Sequence, residues 1–505
     1  MAASGTAPPS GLSRRLTFLL AVAAGGAIAN LYWAQPLLSF IADDLRTATA
    51  TAGWLVTATQ IGYAVGVSLL VPLGDVLDRR RFIPVLLVAS AAALLLCALA
   101  PSFGVLLLAL TVLGVTTISG QLLTPLAGDL AGDAHRGRIV GVVGSGTLSG
   151  ILASRTISGF VAGAAGWRTT FALAAVVAVL LAVLLHRAIP PLAPRARMPY
   201  PQLIASVGAV VLRERAARWT LVLAATGFAA FSLFWTALTF LLSGPPFHFP
   251  VAVIGMFGLA GLAGVLSGLR GGRLHDRGLS LPATGVAWTL ALGAFAVAAV
   301  AGRSVALLII AIIMIDVALQ TQALLNRARL FALSQEARSR LNTALATGNF
   351  IGAAIGSTAA TTLWAVGGWT AVTCTGMALC CFALAVWALG RRGPLLIRGR
   401  ELQIVDSFRQ VRTESVHDPS ARWDADSEQG RWQDERRETE HPPEKAGDGE
   451  LPVSEARRAG GEADHGQRWD PDRGGDQHGG QGGAAAGQPA PDRLGPPGGP
   501  SSRTT

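Results

Sequence analysis

Apolar stretches about twenty residues long recur along the first 390 positions, and Gly, Pro or charged residues bound each of them. A helix of about twenty residues crosses the ~30 Å of hydrocarbon in a bilayer. The pattern therefore predicts an all-α membrane protein with twelve transmembrane helices. The predicted spans are 16–40, 54–73, 84–100, 105–126, 139–163, 169–189, 219–242, 251–269, 281–301, 304–325, 343–365 and 370–389.

The first apolar stretch has two interpretations. Arg14 and Arg15 precede it and small residues follow, as in a cleaved signal peptide. Against this, the polar and aromatic segment from Asn30 to Pro36 continues the stretch without a clean cleavage site. We therefore expect it to form the first transmembrane helix.

Arginine is distributed unevenly between alternate loops. The loops on one side hold 24 arginines, whereas the other side holds only Arg46, Arg168 and Arg303. Positive residues resist translocation, so this asymmetry predicts an even number of spans with both termini in the cytoplasm. We expect a multi-pass protein of a bacterial plasma membrane.

Composition narrows the possible functions. Of 505 residues, 51% are apolar and 14% are charged, whereas soluble domains are about a quarter charged. An ordinary soluble enzyme is thereby disfavoured. Residues 1–400 hold 28 arginines and 10 acidic residues, but residues 401–505 hold 13 basic and 21 acidic ones. This opposition between the two parts does not indicate a nucleic-acid binder.

The segment 390–505 is predicted to be a cytoplasmic and mostly disordered tail. From residue 401 it mixes charged residues, Gln, Gly and Pro with few aliphatic ones, so burial cannot offset the entropy of ordering it. A regulatory role, no role at all, and an extended reading frame in a GC-rich gene all remain open.

The sequence lacks motifs for ATP binding and for metal or cofactor binding. The chain has no phosphate-binding Gly-x-x-x-x-Gly-Lys-Ser/Thr motif and no His, Cys or carboxylate cluster with metal spacing. The four cysteines all lie in apolar stretches, where a thiol behaves as a small hydrophobe. We expect no enzyme activity, no ATP, no metal and no cofactor.

An internal repeat divides the chain into two six-helix bundles, 16–189 and 219–389, joined by a cytoplasmic linker at 190–218 after a short N-terminus, 1–15. Glycines and loop charges recur at an offset of 198 around Gly74 and of 202 around Gly166 and Trp167. Such duplicated bundles are typical of secondary transporters.

The loop after the second span carries a recognisable motif. Residues 72–81 read Pro-Leu-Gly-Asp-Val-Leu-Asp-Arg-Arg-Arg, and residues 272–278 form a shorter echo. The first resembles the loop 2–3 signature of the major facilitator superfamily, and the resemblance covers residues 12–395. Segments 30–36, 322–327 and 337–342 are similar to a bacterial drug-efflux-like branch of the drug:proton antiporter type. The resemblance implies the twelve-helix fold of that superfamily and proton-coupled export.

Two features depart from that family pattern. Arg80 and Arg81 run directly into Phe82, where a Gly and further basic residues are usual. The fifth span lacks the Gly-Pro pair that marks exporters and has Arg155 in that region instead. Export is therefore less supported than transport.

The loop motif and its echo could latch the two bundles in one facing state. A glycine allows close helix approach, and a carboxylate there can face a helix N-terminus or pair with the arginines. The alternative is that the arginines only enforce topology; recurrence of the motif favours the latch. Its predicted residues are Gly74, Asp75, Asp78, Arg79, Gly272, Asp276 and Arg277.

Two ionisable side chains are expected near mid-membrane. Arg155 lies about nine residues from one end of the fifth span, and Asp316 is the only carboxylate within any span. Such charges are costly in a bilayer unless paired or hydrated, so both are functional-site candidates. Burial favours a neutral carboxyl and a nearby guanidinium favours a charged one, so a change in their separation could load and unload a proton. A static pair that only fixes packing is the alternative.

Polar and aromatic residues in the spans could line a substrate cavity. Asp316 and Gln320 share one helix face because they are four residues apart. Interhelical hydrogen bonds for the amides and interfacial anchoring for the aromatics are the alternatives. The candidates are Asn30, Gln35, Gln121, Trp235 and Gln320.

The sequence thus predicts an alternating-access secondary transporter, with protons and a small molecule as its ligands. Export of a small amphipathic molecule is expected. Uptake of a metabolite, or a non-transporting receptor or scaffold that recruits a partner through its tail, are the alternatives.

Overall fold

A computed structural model describes residues 12–131, 135–190, 199–261, 279–334 and 337–395. These residues form helices joined by short turns, and no β-strand occurs among them. Within these ranges, nine helical segments are long and apolar enough to cross a membrane by length and composition. The predicted tail lies outside the described residues from residue 396 onward. Twelve spans therefore remain a prediction, whereas the multi-span helical architecture is observed.

The helices are numbered in chain order. They are α1 (Arg14–Ala29), α2 (Leu38–Asp44), α3 (Thr49–Val76), α4 (Arg79–Ala98), α5 (Phe103–Thr116), α6 (Ser119–Leu130), α7 (Arg136–Ala165), α8 (Trp167–Ala188), α9 (Tyr200–Arg213), α10 (Arg215–Ser243), α11 (Val251–Ala260), α12 (Ser280–Val300), α13 (Val305–Leu333) and α14 (Arg338–Gly390). We refer to α1–α8 as the first half and to α10–α14 as the second half.

The first predicted span is not one continuous helix, which corrects the expectation for 16–40. α1 ends at Ala29, turns follow, and a 3-10 helix at Gln35–Leu37 leads into α2. Pro36 has no N–H to donate and restricts the residue before it, which disfavours a regular helix through this point. The break turns the side chain of Gln35 into the interior, where it is 2% exposed.

A second break separates α5 from α6 and is joined to the first by hydrogen bonds. Asn30 Nδ2 donates to Thr117 Oγ1 at 2.8 Å, and Thr117 Oγ1 donates to the carbonyl of Ala27 at 3.0 Å. Helix ends buried in a bilayer need such partners, because water cannot satisfy them. The two breaks therefore support each other.

Glycines with positive φ separate successive spans at equivalent places in the two halves. Gly166, with φ 85°, lies between α7 and α8, and Gly368, with φ 55°, interrupts α14. A residue with a side chain is strained in this region, whereas glycine is not. The predicted spans 343–365 and 370–389 thus lie on either side of Gly368, and the Gly-Trp repeat marks a repeated turn.

Further glycines let helices within each half touch backbone to backbone. Four glycines, two in α7 and two in α14, lie so close to the facing helix, α1 or α10, that an added β-carbon would overlap one of its carbonyl oxygens. Such close approach is how membrane helices gain packing energy without a hydrophobic driving force. The facing pairs are Gly146 with Ala21, Gly150 with Gly25, Gly352 with Ala225 and Gly356 with Ala229. α7 packs on α1 as α14 packs on α10, so the sequence repeat is also a packing repeat.

Buried apolar residues form the core, and apolar residues also cover outer faces. The second half is built around Phe234, Trp288 and Phe295, all fully buried. In contrast, Phe18 is 70% exposed and Val366 is 90% exposed. Exposed large apolar residues in such number suit helices whose outer faces contact lipid.

The two halves meet along two helix pairs. α3 faces α14, with Thr57 and Ser357 joined by hydroxyls 2.8 Å apart, and Ser68 and Thr347 by hydroxyls 3.0 Å apart. α7 faces α11, where the Cβ of a side chain on Gly159 would lie 3.1 Å from the Cα of Gly255. Small side chains or none make these contacts, and Tyr63 of α3 and Phe350 of α14 add a pair of packed rings whose centroids lie 4.2 Å apart.

A helix occupies part of the predicted linker 190–218. α9 packs against α3 of the first half and against α10 and α14 of the second. The Tyr200 hydroxyl donates a hydrogen bond to the carbonyl of Leu69 in α3. The Pro- and Arg-rich composition of the linker gave no indication of this helix.

Candidate functional site

Arg155 lies in the middle of α7 with its guanidinium inside the protein. The side chain is 2% exposed, and its Nε donates a hydrogen bond to Oε1 of Gln35 at 3.0 Å. The amide reaches Arg155 because the first span is broken at Pro36. Two residues predicted separately as site residues are thus in direct contact.

Three aromatic rings surround the Arg155 guanidinium. Its central carbon lies 4.1 Å from the ring centroid of Trp235, 5.0 Å from that of Tyr32 and 5.5 Å from that of Phe231. Aromatic faces attract cations, by about 2 kcal/mol or more when water is excluded. The rings offset part of the cost of burying this charge and fix the plane of the guanidinium.

Asp316 lies in α13 and is 3% exposed. Its Oδ1 accepts a hydrogen bond from Trp235 Nε1 at 3.2 Å. The other oxygen, Oδ2, lies where a side chain on Gly261 would have to be. Asp316 is therefore closely packed, with the Trp235 indole on one side and the Gly261 backbone on another.

Arg155 and Asp316 interact electrostatically but do not form a direct ion pair. The ion pairs within 4.0 Å among the described residues lie elsewhere; they are Arg79–Asp129, Arg136–Asp129 and Arg168–Asp44. Trp235 contacts both residues, with its ring face toward the cation and its ring edge toward the carboxylate. The two predicted mid-membrane charges are thus brought together through an indole.

A small cavity of about 10 Å³ adjoins Arg155, which is room for about one water molecule. Its walls come from both halves of the protein. The Nη2 atom of Arg155 is buried and has no hydrogen-bond partner among the described residues. The lining residues are Gln35, Pro36, Arg155, Trp235, Leu238, Thr239, Leu242 and Ile254.

The remaining cavity candidates lie elsewhere. Asn30 joins the two helix breaks and accepts a hydrogen bond from Trp33 Nε1 at 2.9 Å. Gln121 Nε2 donates to the Tyr63 hydroxyl at 3.1 Å. Gln320 is half-buried one turn from Asp316 on α13. Asn30 and Gln121 thus both make hydrogen bonds between helical segments, which was the alternative to ligand contact.

The predicted latch residues make contacts within the first half and across to the second. Asp75 Oδ2 accepts a hydrogen bond from Ser339 Oγ, in the first turn of α14, at 2.7 Å. Asp78 caps α4 by accepting from the backbone N–H of Arg80 at 2.9 Å. Asp75 is thus the motif residue that touches the other half.

Two other residues of the motif support the first half. Arg79 Nη1 donates to Asp129 Oδ2 at 2.8 Å, although no sequence feature singles out Asp129. Gly74 lies against Leu122 of α6 with no room for a side chain. The echo residues Gly272, Asp276 and Arg277 lie outside the described residues.

A further buried charge, Arg329, is not anticipated from the sequence. Arg329 in α13 is 1% exposed, and its Nη2 donates to Thr284 Oγ1 at 2.9 Å and to Ser280 Oγ at 3.3 Å. The predicted span 304–325 ends before this residue, which places Arg329 in a loop. Helix α13 continues to Leu333 and carries Arg329 inward.

The described residues contain no group of three or more His, Cys, Asp and Glu side chains that could hold a metal ion. The cysteines in these ranges are unpaired. The polar and aromatic groups at the Arg155 site are a guanidinium, a carboxylate, an amide, the Thr239 hydroxyl and aromatic rings.

Comparison with known proteins agrees with this architecture. Residues 18–327 match the family model described as Major Facilitator Superfamily. The chain is 38% identical over 385 residues to the "Uncharacterized transporter YgaY" of Escherichia coli O157:H7, covering 76% of this chain and 98% of that protein. It is 31% identical over 372 residues to the "Probable transporter SCO4007" of Streptomyces coelicolor, covering 73% and 86%.

Solved structures share the fold at low sequence identity. A bacterial homologue of the human lysosomal transporter Spinster, in an inward-facing and occupied conformation, matches with a TM-score of 0.61 at 14% identity, covering 75% of this chain and 96% of that one. The nucleoside transporter NupG matches with a TM-score of 0.61 at 15% identity, covering 74% and 99%. Together with the family match, these findings show that the chain is a membrane transporter that belongs to the major facilitator superfamily.

Proposed function

We propose that the protein is a proton-coupled secondary transporter that works by alternating access and carries its proton on Asp316. The observation that supports this most is the buried arrangement of Asp316, Trp235 and Arg155. A carboxylate buried without a direct counter-ion can exchange a proton when its distance from a cation changes. Asp316 belongs to α13 of the second half and Arg155 to α7 of the first, so motion between the halves would change that distance.

The contacts between the halves support such motion. α7 and α11 meet at Gly159 and Gly255, where neither helix has a side chain to interlock. α3 and α14 meet through hydroxyl pairs and through the rings of Tyr63 and Phe350. The glycine contact of α7 with α11 suits the rocking of two rigid bundles around a site near the membrane midplane.

We propose the membrane topology that the arginine asymmetry predicts. Two six-helix bundles, 16–189 and 219–389, would be joined by the linker 190–218, with both termini on the cytoplasmic side of a bacterial plasma membrane. Tags inserted beside Arg79 and Arg136 should be protected on the same side of the bilayer. Detection of these two tags on opposite sides would disprove the topology.

Export of a small amphipathic molecule is the direction that the drug-efflux-like motifs favour. Uptake of a metabolite is the second candidate, because the partner-free Nη2 of Arg155 suits an acidic compound. Both need an ion gradient, and nothing in the sequence supports direct use of ATP. They differ in whether substrate moves against the proton or with it.

Liposomes containing the purified protein and a trapped pH indicator would test the proposal. Three aromatic probes of different charge, ethidium, 2-naphthoate and 2-naphthylmethanol, would be offered under pH gradients of either sign. We expect at least one probe to move protons across the wild-type membrane. The sign of that movement separates export from uptake.

Replacing Asp316 with Asn is the critical variant. We expect Asp316→Asn to remain folded and inserted but to lose dependence of probe flux on the pH gradient. Asp43→Asn makes the same change of residue type at an exposed carboxylate and serves as the matched control. Flux through Asp316→Asn that still follows the pH gradient would rule out Asp316 as the proton carrier.

A further inference from the structure

We propose that the substrate is a small organic monoanion with an apolar or aromatic body, and that its carboxylate or similar planar anionic group binds Arg155. The inference rests on the proposed function, since it assigns the ligand of the same transport site. Its starting point is Nη2 of Arg155, which is buried, faces no acceptor among the described residues and belongs to a side chain that lines the cavity.

An unpaired guanidinium nitrogen deep in a protein calls for an acceptor. Leaving a buried donor without a partner costs free energy, and the cost is larger for a charged group. Nε is already occupied by Gln35, and the three aromatic rings hold the guanidinium plane in place. Arg155 is therefore pre-oriented to receive an anion through its Nη atoms, in the forked geometry that suits a carboxylate.

Asp316 does not fill this role. Its Oδ1 accepts from Trp235, and no Arg155 nitrogen lies within 4.0 Å of it. The carboxylate and guanidinium balance in charge, yet each contacts the indole of Trp235 and they form no ion pair within 4.0 Å. A substrate anion could thus contact Arg155 without displacing an existing ion pair.

The cavity walls indicate the rest of the substrate. Beside Arg155 and Gln35, the lining consists mainly of apolar side chains, among them Leu238, Leu242 and Ile254. Phe231 adds a further ring next to the guanidinium. The cavity holds only about one water molecule in this conformation, so a compound with one anionic end and an apolar body would fit between these walls once the two halves part.

A bound anion and the Asp316 carboxylate would both interact electrostatically with the Arg155 guanidinium. The anion should bind more tightly when Asp316 carries a proton, and proton binding should be favoured by the anion to the same extent, because the coupling is reciprocal. Anion and proton would then cross together, which supports uptake over export.

Few ionisable groups face Asp316, so few of them can influence the coupling between proton binding and anion binding. α7 contributes Arg155, and the turn after α1 contributes Tyr32, which interacts with Arg155. α10 contributes Trp235, which does not titrate. α11 and α12 hold no Asp, Glu, His, Lys or Arg, and α14 holds only Arg338 and Arg340, in its first turn.

Binding of three probes that share a naphthalene body and differ in the charge of the head group would test the inference. These are 2-naphthoate, 2-naphthylmethylamine and 2-naphthylmethanol, titrated against the full chain in detergent by thermal shift. We expect wild-type protein to bind naphthoate at least about tenfold more tightly than the other two, as one charge-assisted hydrogen bond would give. Equal or tighter binding of the amine or the alcohol would overturn the proposal, and this result needs no variant.

Variants would locate the anion. Arg155→Gln should lower naphthoate affinity about tenfold or more, whereas Arg303→Gln, which removes an exposed arginine, should not change it. Arg155→Lys keeps the charge and serves if the Gln variant does not fold; it should lose affinity because an ammonium lacks the planar fork. Unchanged naphthoate binding in a folded Arg155 variant would refute the assignment.

Asp316→Asn separates this inference from the proposed function. It should bind naphthoate more tightly than wild type and without dependence on pH. If naphthoate binds selectively but no proton moves in liposomes, proton coupling fails and the anion site stands. If protons move with another probe and naphthoate does not bind selectively, the anion site fails and proton coupling stands.

Discussion

Trp235 Nε1 donates a hydrogen bond to Asp316 Oδ1 at 3.2 Å while the face of the same indole lies against the Arg155 guanidinium. One side chain thus contacts both mid-membrane charges with different parts of its ring system. Any change in the position of α10 would alter the surroundings of both charges at once.

Replacing Trp235 with Phe tests the hydrogen bond separately from the ring. Phe keeps an aromatic face for Arg155 but cannot donate to Asp316, which leaves a buried oxygen without that partner. We expect Trp235→Phe to lower the proton-coupled rate about tenfold, with a loss of about 1–3 kcal/mol in stability. Trp235→Ala should cost about 3–5 kcal/mol, because it also opens a cavity. Similar rates in Trp235→Phe and wild type would show that the indole N–H has no role in coupling.

Two glycines of α7 form a matched pair for testing close helix packing. A methyl group on Gly150 would overlap the backbone of Gly25, whereas one on Gly144 would meet nothing within 4 Å. We expect Gly150→Ala to destabilise the protein by about 1–3 kcal/mol, because the neighbouring backbone must shift. Gly144→Ala should be neutral or stabilise by up to about 1 kcal/mol, since alanine favours helix. Thermal unfolding in detergent would compare them, and equal melting temperatures would contradict the packing interpretation.

A reversible cross-link would test motion between α3 and α14. The Ser68 and Thr347 hydroxyl oxygens lie 3.0 Å apart across the two halves, so cysteines at these positions are near enough for a disulfide. We expect the oxidised double variant Ser68→Cys with Thr347→Cys to lose at least about nine-tenths of its transport rate. A reductant should restore it, and each single variant is a control. Full activity in a quantitatively cross-linked sample would show that α3 and α14 do not separate during transport.

The ion pair between Arg168 and Asp44 leads to a prediction about stability in acid. Hydrogen bonds from Arg168 and then Trp167 lower the pKa of Asp44 below its ordinary value of 3.8. A lowered folded-state pKa means that the stabilisation is present above the ordinary pKa and is lost as pH falls through the folded value.

The Asp44 carboxylate is partly exposed, so its contribution should be below about 1 kcal/mol. Thermal unfolding of wild type and Asp44→Asn between pH 6 and pH 3 would measure it. We expect wild type to be the more stable at pH 6 and the difference to shrink toward pH 3. A difference that grows with acidity would contradict the sign.

The sequence was sufficient for the features that the bilayer imposes. Apolar stretches mark the spans, because every lipid-facing segment must be apolar for the length of the hydrocarbon. The repeat around Gly166 and Gly368 follows from a turn that needs positive φ. Asp316 and Arg155 stand out because ionisable residues are rare inside membranes.

Other features depend on helix rotation and on breaks, which periodicity does not report. The contact of Trp235 with both charges depends on the rotation of α10, and the inward turn of Gln35 follows from the broken first span. The predicted span 304–325 leaves Arg329 in a loop, since a hydropathy window ends at the first charges and cannot tell an inward-facing arginine from a solvated one. Asp129 became relevant only through its contact with Arg79.

The helix in the linker has a mechanical consequence. α9 is fastened to α3 through the Tyr200 hydroxyl and lies against α10 and α14. A flexible linker would not restrict the movement of one bundle relative to the other. A docked helix must instead move with one bundle or detach from it. The length and attachment of α9 would thus limit how far the two bundles can be displaced from each other during transport.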